Sequence, residues 1–92
     1  MTFPTLHLNG TSAGSLLEGW ERAHAALCDA MQALAQAAPN GRDFYVQQAG
    51  AFEAAQAEHE ERMRRLHEVR RELEALSEHV AAEDLRRRSR HE

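Results

Sequence analysis

The 92-residue chain has no lysine and no isoleucine, and only two asparagines, two prolines, one cysteine and one tryptophan. All eleven basic residues are arginine. Residues with AT-rich codons are the ones avoided, so this preference reports a GC-rich coding source and says little about function. With Cys28 as the single cysteine no internal disulfide can form, and a reduced, packed thiol in a cytosol-like compartment is expected. No run of about eighteen apolar residues exists, and the N-terminus lacks a basic flank and an apolar stretch, so neither a membrane span nor a signal peptide is expected. A net charge of −4 and a pI near 5.8 argue against wholesale binding to nucleic acid or an anionic membrane. Paired cysteines, a phosphate-cradling glycine loop and a nucleophile elbow are all missing. His24 and Cys28, four residues apart, could share a metal, but two ligands do not complete a tetrahedral site. His59, His67 and His79 are spread too far along one rod to converge. The sequence therefore predicts no catalytic residue, no metal and no cofactor, and not an enzyme.

What is present is helix. From Leu66 the apolar residues Leu66, Val69, Leu73, Leu76 and Val80 return at alternating spacings of three and four, the a/d pattern of a coiled coil. Read backwards, that register passes through Phe52, Ala55, His59 and Arg62, with Met63 on its flank. The two polar seam positions either select register, or Met63 turns inward while Arg62 keeps its head in water. The pattern predicts a helix over 48–87, roughly 60 Å long. Pairs of Glu58 with Arg62, Glu60 with Arg64, Glu61 with Arg65 and Arg70 with Glu74 are expected on its solvent face. The arginines of RRRSR at positions 86 to 90 complement its C-terminal dipole, and 88–92 reads as a basic tail.

A shorter helix is predicted over 15–38. It opens on a capping box from Ser15 to Glu18 and carries Leu16, Trp20, Ala23, Leu27, Met31 and Leu34 on one face. Pro39 ends it. Residues 1–14 read as an extended arm in which Leu6 and Leu8 share a face, followed by a turn at Asn9-Gly10. The loop at 39–47 holds a second Asn-Gly turn, Asn40-Gly41, then Asp43 as an N-cap and Phe44 and Tyr45 to close the core. The whole is one all-α domain. It is an antiparallel hairpin of a short helix and a long coiled-coil-like helix, with an N-terminal arm, assembling into a helical-bundle oligomer. Leu66, Val69, Leu73, Leu76 and Val80 lie at the expected shared surface. Because the second helix is longer, residues beyond about Leu73 are expected to overhang, covered by Leu6 and Leu8 of the arm.

The arm reading TLHLNGTS, the helix opening LLEGWERAHAAL and the loop reading APNGRDFY resemble small uncharacterised proteins encoded by tailed bacteriophages and prophages. The resemblance covers roughly the first half of the chain and the charged character of the second helix. It implies a non-enzymatic accessory protein in the cytoplasm of a bacterial host that acts by binding. The leading expectation is an oligomeric interaction module for a host or phage protein. The alternative is a sponge for an anionic nucleotide signal of host immunity. In that reading Asn9, Thr11 and Ser12 of one subunit meet Arg42 and Tyr45 of another, supplying hydroxyls, a cation and a stacking face. A third reading, a nucleic-acid-binding accessory factor, rests on the terminal arginines alone.

Overall fold

The computed structural model describes residues 1–90. Two helices carry the fold, α1 at Ala13–Gln36 and α2 at Ala51–Arg90, with a 3₁₀ turn at Gly41–Asp43 between them and no strand among the described residues. They pack antiparallel: Ala13 lies near Asp84 and Arg87, His24 meets Glu74, and Ala35 lies near Met63. The result is a two-helix layer of 68 × 20 × 20 Å. No helix of the described residues is long and apolar enough to cross a membrane.

Each helix boundary is shifted by two or three residues from its sequence expectation, and each shift has a local cause. α1 begins at Ala13 because Ser12, in extended backbone, is the N-cap: its Oγ accepts from the Ser15 amide at 3.2 Å. Ser15 is thus the third helical residue, not the cap, and a serine pair replaces the expected box with Glu18. At the far end Ala37 and Ala38 donate to Leu34 and Ala35, tightening the last turn ahead of Pro39. Asn40, not Asp43, caps the 3₁₀ turn, its Oδ1 accepting from the Arg42 amide at 3.0 Å. α2 starts at Ala51 and not at 48 because Gly50 sits at φ 90 and its carbonyl accepts the first helical hydrogen bond from Ala54. Gly50 is the one described residue at positive φ. Both Asn-Gly turns are built without the left-handed backbone for which they seemed chosen. The basic tail is also revised: α2 runs through Arg88 to Arg90, and positions 91 and 92 lie outside the described residues.

The inward seam of α2 is Phe52, Ala55, His59, Met63, Leu66, Arg70, Leu73 and Val80. His59, Leu66, Leu73 and Val80 keep their expected seven-residue spacing, while the positions between them move one residue on, from 62 to 63 and from 69 to 70. Met63 is half-buried and Arg62 exposed, the second of the two arrangements considered for this seam. His59 is 8% exposed. Val69 is 44% exposed, and Arg70 is the half-buried residue between Leu66 and Leu73. Of the four expected solvent-face pairs, only Arg70–Glu74 forms, at 3.9 Å. Arg64 instead bridges Glu61 and Glu68, while Glu83–Arg86 and Asp84–Arg88 pair along the last turns.

The overhang lies at the opposite end from its expected place. His24 opposite Glu74 places Gln36, twelve residues on, level with residue 62, twelve residues back. Residues beyond Leu73 therefore have α1 as a partner, and the first three turns of α2 extend past it. The loop at 37–50 runs along those turns, with Phe44 tilted on Phe52 at 6.2 Å between ring centroids. At the other end the N-terminal segment returns onto α2. Phe3 stacks on His79 at 4.5 Å, and Leu6 is 9% exposed. Leu8 does not join it and is 94% exposed, because the turn closed by the Gly10 amide on the His7 carbonyl begins before it.

Candidate functional site

The residues proposed to hold a ligand fall at opposite ends of the layer. Thr11 and Ser12 stand at the start of α1, in a shallow groove of about 320 Å³ whose far wall is Asp84, Arg87 and Arg88. Asn9 is exposed in the adjoining turn. Arg42 is exposed in the 3₁₀ turn, well before the first amides of α2. Tyr45 is 80% exposed and does not close the core; that position belongs to Phe44. Within one chain the structure thus gathers Thr11 and Ser12 with arginines of α2 and leaves Arg42 and Tyr45 apart from them.

Of the expected interface residues, Leu66, Leu73 and Leu76 are half-buried and Val69 is exposed, so each retains surface. Val80 does not. It is 0% exposed within the single chain and has no area left for another subunit.

Midway along the layer lies a cluster whose third member the sequence reading missed. His24 and Cys28 are one helical turn apart on α1, and His24 Nδ1 is 3.8 Å from Cys28 Sγ. Across the layer His24 Nε2 is 2.8 Å from Glu74 Oε2. The hydrogen bond from His24 is the main reason the Glu74 carboxyl is held below its ordinary value, and the charges of Arg70 and Arg71 add to it. Cys28 borders a groove of about 530 Å³ lined across α2 by Met63, His67 and Arg70. Two of the three residues were visible as an i, i+4 pair; the third depends on the helix–helix register. No group of three His, Cys, Asp or Glu side chains among the described residues converges to hold a metal.

Comparison with protein-family models, curated proteins and solved structures gives no match to this chain.

Proposed function

We propose that this chain is a non-enzymatic helical interaction module whose first partner is a second copy of itself, and whose assembled surface binds a host or phage protein in a bacterial cytoplasm. The observation that carries the reading is an unclosed layer. A compact chain of this length has a radius of gyration of about 12 Å, against 19.9 Å here. Its accessible surface is 6973 Å², where a compact monomer of this mass exposes about 5,400 Å². Among the described residues only Leu6, Met31 and Val80 form a buried apolar core. If two copies each covered the excess of about 1,600 Å², the interface would total about 3,200 Å², the size of obligate homodimers. The strip for that contact is Leu27 and Leu34 of α1 with Leu66, Val69, Leu73 and Leu76 of α2, giving a four-helix bundle.

Native mass spectrometry of the full chain tests this directly. Dimers or a higher symmetric oligomer are expected, with dissociation or unfolding on Leu73→Glu. A folded wild-type monomer at micromolar concentration defeats the reading.

A second reading, sequestration of an anionic nucleotide, is favoured by one feature: Thr11 and Ser12 share a groove with Arg87, beside the Asp84–Arg88 pair. Co-purified nucleotide would appear in the same spectra. The nucleic-acid reading draws less support, because Arg86 and Arg88 are paired with Glu83 and Asp84.

A further inference from the structure

We propose that Cys28 is a base-assisted thiol that exchanges with small disulfides carrying carboxylate groups, the groove between α1 and α2 being the docking place for that reagent. The proposal is independent of the interaction reading above and rests on the geometry of four side chains.

Glu74 presents carboxylate oxygens to His24 Nε2, and an ionised carboxylate only accepts. In the neutral imidazole the proton therefore sits on Nε2, which leaves the lone pair of Nδ1 facing the sulfur at 3.8 Å. Nucleophile, base and orienting carboxylate stand in the order that activates a thiol. The reaction balances without a further reagent. As the sulfur attacks one sulfur of the disulfide, the Cys28 proton passes to His24 Nδ1. The Cys28–sulfur bond forms, the old S–S bond breaks, and the departing thiolate takes the proton back from His24. The products are a mixed disulfide on Cys28 and one free small thiol.

Acyl transfer is not on offer. Cys28 lies in the middle of α1, where every neighbouring amide donates along the helix and none can stabilise an oxyanion.

Arg70 selects the reagent. Its Nε is buried and has no hydrogen-bond partner, and its ion pair with Glu74 is long at 3.9 Å. The side chain as a whole is 34% exposed and lines the Cys28 groove. A carboxylate on the incoming disulfide would meet the charge of its guanidinium there. The other ionisable groups around the thiol are Asp29 from α1 and His67 from α2, and they oppose each other in sign when His67 is protonated.

The groove does not include Leu27, Leu34, Leu66 or Val69. Adjacent helix positions differ by about 100°, so Leu27 and Cys28 straddle the line of helix contact. The thiol consequently faces away from the strip assigned to a second copy and stays reachable in a dimer.

The test is the rate of mixed-disulfide formation on the intact full chain with oxidised glutathione, which carries carboxylates, and with cystamine, which carries amines. Near neutral pH the wild type should outpace His24→Gln by at least about tenfold with either reagent. Above the ordinary range of thiol ionisation, near pH 10, the two should converge because no base is needed. Arg70→Gln should slow the glutathione reaction relative to the cystamine reaction, since only the former carries carboxylates. Equal rates for wild type and His24→Gln near neutral pH overturn the base, and an Arg70→Gln effect that is the same for both reagents overturns the selection. Should His24→Gln fail to fold, native wild type is compared with the same chain in urea. A native rate above the unfolded rate is expected, and a lower one overturns the proposal.

Discussion

Val80 and Val69 sit eleven residues apart on α2 and make a matched pair of perturbations. Val80 is 0% exposed, whereas Val69 is 44% exposed in the single chain. Truncating a fully buried valine to alanine removes two methyl groups, worth about 1.6 kcal/mol in transfer, and leaves a small cavity, for about 2 kcal/mol in all. In a chain of this length each kcal/mol moves the melting point by roughly 4–8 °C, so Val80→Ala should lower Tm by roughly 10 °C. Val69→Ala in an isolated chain should cost about half as much or less, since nearly half its surface is already in water. In a dimer the strip around Val69 is covered, and the cost rises to match Val80. The Tm of Val69→Ala should then depend on protein concentration more steeply than that of the wild type. Melting followed by far-ultraviolet circular dichroism at low and high micromolar concentration reads both effects. A Tm unmoved by Val80→Ala refutes the burial of Val80. A small, concentration-independent effect at Val69 refutes the shared strip.

Leu6→Ser should speed amide exchange in the last turns of α2, while Leu8→Ser, at a side chain already in water, should leave it unchanged; equal effects would mean the segment is not held through Leu6. Gly50→Ala forces a side chain onto φ 90 and should destabilise by about 1–2 kcal/mol in urea titration; no loss there would mean α2 can begin earlier. Glu61, Glu74 and Glu83 are held below the ordinary carboxylate value of 4.5, chiefly by hydrogen bonds from Arg64, His24 and Arg86. Depressed folded values mean their stabilisation is complete above 4.5 and is lost as pH falls through the lowered range. Helix content should stay level from neutrality to about pH 5 and decline below it; a decline that is complete above that point would exclude these groups as its cause.

The all-helical class and the two-helix count were legible, because the apolar spacing of Leu16 to Leu34 and of Phe52 to Val80 admits no other regular structure. Boundaries were less so. Ser12 and Ser15 both have the chemistry of a cap, and only the backbone conformation of Ser12 decides between them. Gly50 was visible but was read as tolerated inside a helix, when it is the residue that sets the start. The seam departs from its expected positions at 62 and 69, where Met63 and Arg70 turn inward; either neighbour fits between seam residues seven apart, so spacing alone does not choose between them.

The larger miss was register, and it hid the thiol cluster. A tight turn at 39–47 between helices ending at 38 and starting at 48 would set His24 opposite residue 62, which is Arg62. The observed partner is Glu74, twelve residues further along, a displacement of roughly 18 Å. The loop produces that displacement by climbing instead of turning. Asn40 caps a 3₁₀ turn that keeps the chain moving along α2, Phe44 fastens it to Phe52, and Gly50 reverses it. The fourteen residues at 37–50 are more than a helix–helix turn requires, and Gly50, which lengthens the loop from the expected 39–47, was the one signal in the sequence that the helices would slide. Shortening the loop would therefore do more than trim a surface. It would draw α1 toward the start of α2, part His24 from Glu74, and take the orienting carboxylate away from the imidazole that faces Cys28.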